Sequence, residues 1–315
     1  MKLIAFALVL FCISLLAEGG EPTAWLFTSF RGNGEDGLHL AWSADGYRWA
    51  DLKRAFLKPQ VGQNKLMRDP CLRQAPDGTF HMVWTPGWWE RGFGHASSKD
   101  LIHWSEQQYV PVMAAEPKAK NVWAPELFYD DAKQQSRPQR PREDKWLIFW
   151  ATTVPGRFPE TDKGGDNNHR IYCVTTKDFE TFSDPKLFLD PGYNVIDATI
   201  IKAEPRYVMI FKDERPGKKN LRLAFSDAAE GPWEGVTEPF TGDWVEGPSA
   251  IRIRGEWLVY FDHYAKPHYY GAVKSPDLKT WADVSKQMSF PPGHRHGTVL
   301  CVPKRVLDGL LEAPQ

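Results

Sequence analysis

Four carboxylates and one histidine recur along the 315-residue chain at nearly even steps. Asp69, Glu126, Asp197, Glu246 and His296 are separated by 57, 71, 49 and 50 residues. Each stands at the entry of a short apolar run that reads as a β-strand. The phrases are Arg68-Asp69-Pro70 before CLRQ, Ala124-Pro125-Glu126 before LFYD, Ile196-Asp197-Ala198 before TIIK, Glu246-Gly247-Pro248 before SAIRI and Arg295-His296-Gly297 before TVLCV. One acid at a strand entry is ordinary turn chemistry. Four in phase, followed by a histidine in phase, predict that the five side chains meet. Carboxylates gathered in one place shift each other's proton affinity, so one can hold a proton while another stays ionised. That is the equipment of general acid–base catalysis.

The elements that must position these groups carry a repeat of their own. An alternating apolar run leads to Ser or Thr, usually an Asp, and then an aromatic residue. The copies are Leu38–Trp49, Phe93–Trp104, Ile171–Phe182, Leu221–Trp233 and Tyr270–Trp281, and their closing aromatics are 55, 78, 51 and 48 residues apart. A period near fifty built from β-type segments predicts a propeller with about four strands per blade. The fifth blade lacks its later strands at the C-terminus, and Trp25–Phe30 and Leu38–Ser43 at the N-terminus can supply them. The expected fold is therefore all-β: a five-bladed β-propeller closed by N-terminal strands that complete the last blade, one domain over residues 21–315. The first strand of each blade lines the channel, so the five polar residues are expected around its mouth. Asp77-Gly78 and Arg254-Gly255 mark hairpin turns, and only the tail near Val306–Glu312 reads as helical.

Strand parity places further loops on the same face: Arg31–Gly37, Thr85–Arg91, Thr153–His169, Lys212–Asn220 and Asp262–His268. The links between blades add Trp123 and Trp244. The chain has 14 Trp, more than strand packing needs, and indole rings also stack on the apolar faces of sugars. Arg68, Trp88, Trp89, Trp123, Glu126, Trp244 and Arg295 are the candidate substrate-binding residues. Arg68 or Arg295 could bind a sugar hydroxyl or steady a carboxylate. Thr153–His169 is the candidate mobile wall, and the polar insertion Asp131–Asp144 is expected as an exposed excursion on the opposite face.

Composition excludes other classes of partner. Lys+Arg (39) and Asp+Glu (40) nearly cancel, leaving a formal net charge of −1, which does not suit nucleic acid or an anionic membrane. Residues 1–20 read as a signal peptide: Met1-Lys2, the apolar run Leu3–Leu16, then small residues. The run is short for a membrane span and no later segment is long enough. A secreted or periplasmic monomer acting on carbohydrate is the expectation. Cys12 lies in the leader, and Cys71, Cys173 and Cys301 read as buried small hydrophobes with no disulfide or metal spacing.

The phrases MRDPCL, SSKDLIHW, VWAPELFYD, NVIDATI, VEGPSAI and RHGTVL, in this order over Trp25–Val302, resemble glycoside hydrolase family 43. These are five-bladed propeller enzymes acting on arabinose- and xylose-containing polysaccharides. The resemblance implies Asp69 as general base, Asp197 as the acid that orients and tunes, and Glu246 as general acid. It puts His296 near a calcium or water site, so a structural calcium is possible although no cofactor is required. Two positions depart from the pattern. Glu126 stands where the family commonly has Asp, and Cys71 replaces the aspartate that often follows the base phrase.

Glycoside hydrolysis needs a protonated acid at the leaving oxygen and a carboxylate across the sugar. Neighbouring carboxylates are expected to keep Glu246 protonated by repulsion. Asp69 and Glu246 start blades that are not adjacent, which favours a gap holding a water and hence inversion; retention needs the two about 5 Å apart. An α-L-arabinofuranosidase ranks first, then a β-xylosidase or a galactan-directed enzyme. Alternatives are a non-catalytic carbohydrate-binding propeller, or a fructosyl hydrolase or glycoside phosphorylase of a related propeller family. Arg31, Arg157 and Lys212 keep the phosphorylase in view.

Overall fold

A computed structural model describes residues 23–131, 143–162 and 167–313. The expected leader, most of the 131–144 insertion and the centre of the 153–169 loop lie outside the described residues.

Five antiparallel sheets form the blades. The first contains β1 (Thr23–Ser29), β2 (Leu38–Ser43) and β3 (Ala50–Leu57) together with β19 (Val299–Pro303). The next contains β4 (Arg68–Gln74), β5 (Phe80–Thr85), β6 (Phe93–Ser98) and β7 (Gln108–Val110). Then come β8 (Trp123–Asp130), β9 (Lys145–Thr153), β10 (His169–Thr176) and β11 (Lys186–Leu189). A three-stranded sheet follows, of β12 (Val195–Ala203), β13 (Arg206–Asp213) and β14 (Asn220–Ser226). The last has β15 (Val245–Ile253), β16 (Glu256–His263), β17 (Tyr269–Ser275) and β18 (Ala282–Asp283). Neighbouring inner strands pack in the order β4, β8, β12, β15, β19, with β1 against β4.

The ring closes as the sequence predicts. β19 pairs with β1 from Thr23↔Pro303 to Phe27↔Val299, so the N-terminal strands complete the blade that the C-terminus begins. Closure leaves no free inner edge. The four-strand expectation fails in one blade. After β14 the chain carries Gly231-Pro232, Gly235 and Pro239 and makes a bridge from Phe225 to Glu234 and single bonds from the Thr237 and Phe240 N–H groups to β14, but no continuous ladder. Prolines lack the ladder donor, and a regular fourth strand does not form.

The repeated phrase proves to be a turn. Ser43, Ser98, Thr176 and Ser275 each accept the N–H three residues on, and the following Asp accepts the next N–H groups. The residue so held has a left-handed backbone: Gly46, Leu101, Phe179 and Leu278, with φ of 80°, 64°, 59° and 59°. The copy at Ser226 keeps only the bond from the Ala228 N–H. Apolar side chains fill the wedges between blades, as where Cys71, Val83 and Phe93 meet Leu127, Ile148 and Trp150.

Cys71 and Cys173 are buried, but Cys301 is exposed, because strand alternation sends Leu300 and Val302 into the core and Cys301 to the other face. The helix α1 (Lys304–Glu312) starts earlier than expected and buries Val306, Leu307 and Leu310. No helix among the described residues is long and apolar enough to cross a membrane.

Candidate active site

Four of the five inner strands, β4, β8, β12 and β15, enter the ring through a bulge. Pairing shifts by one residue between Arg68↔Thr85 and Cys71↔Val83, and again between Trp123↔Ala151 and Glu126↔Phe149. It does the same between Ile196↔Lys212 and Thr199↔Ile210, and between Glu246↔Asp262 and Ser249↔Tyr260. Inside each bulge one residue has positive φ: Asp69 (52°), Ala124 (46°), Asp197 (51°) and Gly247 (58°). A non-glycine residue there is strained, and such strain re-aims a side chain at a functional site.

The bulges sort the polar residues into rows. Arg68, Trp123, Ile196 and Glu246 share the outermost row. Asp69, Ala124, Asp197 and Gly247 form the next. Cys71, Glu126, Thr199 and Ser249 lie deeper. The expectation that Glu126 stands at the channel mouth is therefore corrected. It lies two positions further along its strand than Asp69 or Asp197. It is 3% exposed, accepts the hydroxyls of Thr199 and Thr298 at 3.1 and 3.3 Å, and faces Arg73 at 3.4 Å.

A cavity of about 360 Å³ opens at the mouth. Asp69, Asp197, Glu246, His296, Arg68, Arg295, Trp88, Trp123 and Trp244 all line it. Trp89 is half exposed and tilts onto Trp123 at 5.5 Å, outside this lining. Trp123 is pinned by a bond from its Nε1 to the Trp88 carbonyl and by stacking on His169. Trp244 is the most open tryptophan of the lining, 50% exposed, and packs perpendicular to Tyr264.

Asp69 accepts the Thr85 hydroxyl at 2.9 Å and faces His296 Nδ1 at 3.4 Å. Asp197 lies 3.9 Å from the same nitrogen and accepts the Gly247 N–H at 3.1 Å. Burial, together with the Glu246 and Asp69 charges, pushes the Asp197 carboxyl up to about 6 despite His296 and Lys212. Burial works against charge on His296, but the surrounding carboxylates outweigh it and raise its pKa.

Glu246 departs from expectation. Burial favours its neutral form, but Lys212, His296 and Arg295 prevail and hold its carboxyl below the usual value. Lys212 Nζ donates to it at 2.9 Å and Arg295 Nη2 at 3.4 Å. The proton expected on Glu246 thus sits more readily on Asp197. Sequence reasoning missed Lys212 as the partner of Glu246. It also missed Asp262, fully buried, which accepts from Arg295, from the His296 N–H and from His268. The available signal was a charged residue ending an otherwise apolar strand, as in RYVMIFKD and EWLVYFDH.

Calcium takes six to eight oxygen ligands. Here Asp69 accepts the Thr85 hydroxyl, Asp197 the Gly247 N–H, and Glu246 the Lys212 and Arg295 donors, and the His296 ring stands between Asp69 and Asp197. Among the described residues no group of three or more His, Cys, Asp or Glu is arranged to hold a metal ion. This donor set does not fit calcium.

Residues 21–308 match the family described as "Probable glycosyl hydrolase domain", a relative of glycosyl hydrolase family 43. A curated α-L-arabinofuranosidase of Bifidobacterium longum subsp. longum is 25% identical over 129 residues, which cover 38% of this chain and 11% of that protein. The match thus spans about a tenth of the relative's length. Three solved structures share the fold. The α-L-arabinofuranosidase of Lactobacillus brevis has 20% identity and a TM-score of 0.51, over 69% of this chain and 72% of that one. A xylan β-1,4-xylosidase of Bacillus halodurans has 17% identity and 0.54, over 75% and 43%. An exo-β-1,3-galactanase of Phanerochaete chrysosporium has 12% identity and 0.53, over 73% and 53%. Since the family match covers almost the whole described propeller, the chain belongs to the glycosyl hydrolase family 43-related family.

Proposed function

We propose that this protein hydrolyses glycosidic bonds of arabinose- or xylose-containing polysaccharides with inversion, α-L-arabinofuranosides first among them. The observation that carries the reading is the convergence of Asp69, Asp197 and Glu246, from three different blades, on one cavity beside His296. Asp69 accepts the Thr85 hydroxyl and has the His296 ring beside it, which hold it in place for the part of general base. Its blade is not adjacent to that of Glu246, which supports a water-sized gap and inversion. Asp197 tunes the pair through its own raised proton affinity.

Glu246 is the general acid. In the free site Lys212 and Arg295 favour its ionised form, so its proton is taken up at acid pH or as substrate hydroxyls draw Arg295 away. Exposed Trp244 and the Trp88–Trp123 pair, which line the same cavity, offer sugar-stacking faces. The bases that kept a phosphorylase in view are all occupied by acids. Arg31 pairs with Asp51, Arg157 with Glu116, and Lys212 with Glu246 and Glu214. That supports water over phosphate as the nucleophile. The apolar run of residues 3–16 supports export to a secreted or periplasmic location.

A panel of nitrophenyl arabinofuranoside, xyloside and galactosides with arabinan, xylan and arabinogalactan tests the reading. NMR of the first anomer released follows on whichever is cleaved. Pentose release with inversion is expected. Retention refutes the water-sized gap, and binding without turnover across the panel points to a non-catalytic propeller.

A further inference from the structure

Among the described residues, every basic side chain on the cavity wall but one has a carboxylate partner. Lys212 is shared by Glu246 and Glu214, and Lys219 bonds Glu214. Arg295 reaches Glu246 and Asp262, and His296 faces Asp69 and Asp197. Arg68 has no carboxylate partner among the described residues. Its Nη1 donates to the Asn33 amide oxygen at 2.9 Å, an oxygen that also accepts from Trp88 Nε1. Glu35 of the same loop bonds the Asn33 backbone N–H instead.

Arg68 is nonetheless 8% exposed and opens on the cavity. Its guanidinium lies between two aromatic faces, 4.1 Å from the Trp88 ring centre and 4.7 Å from that of Phe30. The rings cover its faces and leave its edge, where the N–H donors are. A guanidinium stays charged at any physiological pH, and it matches a pair of oxyanion oxygens with two parallel N–H bonds. Burying such a charge without a counter-charge is costly. Cation–π contact offsets part of that cost and fixes the orientation of the fork.

We propose that Arg68 binds an oxyanion on the substrate, so that the saccharide taken here is acidic. The oxyanion is a uronate carboxylate or a sulfate ester on the sugar at the Asp69 end of the cavity. This rests on the glycosidase reading and narrows its substrate class. A neutral pentose would leave this charge to hydroxyl groups.

Calorimetry on wild-type protein with matched sugars tests it: D-galacturonate against D-galactose, D-glucuronate against D-glucose, and D-galactose 6-sulfate as a separate arm. The acidic member is expected to bind about tenfold more tightly, as a charge-assisted bidentate contact allows. The advantage should shrink as salt is raised. Arg68→Met should erase it and Arg68→Lys should keep part, since lysine retains the charge and loses the fork. The two acidic arms separate carboxylate from sulfate. Equal affinity within both pairs, with no preference for the sulfate, overturns the inference; so does a preference that survives Arg68→Met. If Arg68→Met does not fold, the wild-type pairs still decide. Cleavage of neutral pentosides with no acidic preference refutes this inference and leaves the glycosidase reading standing. An Arg68-dependent preference without cleavage of any glycoside supports the oxyanion site and refutes the glycosidase reading.

Discussion

Lys212 donates to Glu246 at 2.9 Å from the neighbouring blade, with its own side chain only 2% exposed. Glu214 at 2.8 Å and the Tyr264 ring at 4.4 Å complete its surroundings. If Glu246 is the general acid proposed above, a buried ammonium against it sets the pH range of the reaction. It stabilises ionised Glu246 and so moves the alkaline limb of kcat/KM toward acid. Lys212→Gln is expected to shift that limb upward by about one to three pH units, the range for loss of a close opposite charge. A pH–rate profile checks it. An unmoved limb would mean that Glu246 is not the titrating acid.

Asp197 is expected to weaken the fold while serving the site. Its folded value of about 6 lies above the ordinary 3.8. Between those values the native state keeps a proton that the unfolded chain has released, so stability falls as pH rises through the window. Asp197→Asn removes this loss. The variant should be inactive yet melt at an equal or higher temperature at pH 7, with the advantage shrinking as pH falls below the folded value. A melting temperature lower at neutral than at acid pH, relative to wild type, would reverse the sign and refute it.

Glu126 should be dispensable for chemistry. It lies beneath the cavity, held by Thr199, Thr298 and Arg73, and burial raises its carboxyl above the usual range. Glu126→Gln keeps a hydrogen-bonding side chain but leaves Arg73 unpaired. It should lose about 1–3 kcal/mol of stability and keep kcat and both pH limbs. A large fall in kcat with the fold intact would restore Glu126 to the site.

Gly247 holds two groups in place. Its φ is +58°, and an added Cβ would come within 2.6 Å of His296 Cδ2. Gly247→Ala should cost about 1–3 kcal/mol of backbone strain and push His296 away from Asp69 and Asp197. Gly255 is the control, with φ +87° and open space around its Cβ position. Gly255→Ala should cost stability alone, whereas Gly247→Ala should also lower kcat. Equal effects on activity would show that His296 has no positioning role.

The blade frame was legible because its turn is built from local chemistry, a hydroxyl and a carboxylate closing on the next few N–H groups around a left-handed residue. Such spacing survives in sequence. The convergence of Asp69, Asp197 and Glu246 was legible for the same reason, since the frame carries them into phase. The depth of each group was not. The bulges put Asp69 in register with Ala124 and Cys71 with Glu126, so Glu126 falls a row below Asp69 although both precede an apolar run. The charge pattern was equally hidden. Lys212 and Asp262 act across blade boundaries, and nothing in their local sequence says that one meets Glu246 and the other Arg295.

The central claim is that Glu246 donates the proton and Asp69 activates the water. Leaving-group dependence tests it most directly. On a dinitrophenyl glycoside the leaving group needs no proton, whereas a natural saccharide does. Glu246→Gln should lose activity on the saccharide by about 10²–10⁴-fold, the usual worth of general acid catalysis, and retain most of it on the activated glycoside. Asp69→Asn should lose both. The account is contradicted if Glu246→Gln loses both substrates equally or if Asp69→Asn still hydrolyses the activated one.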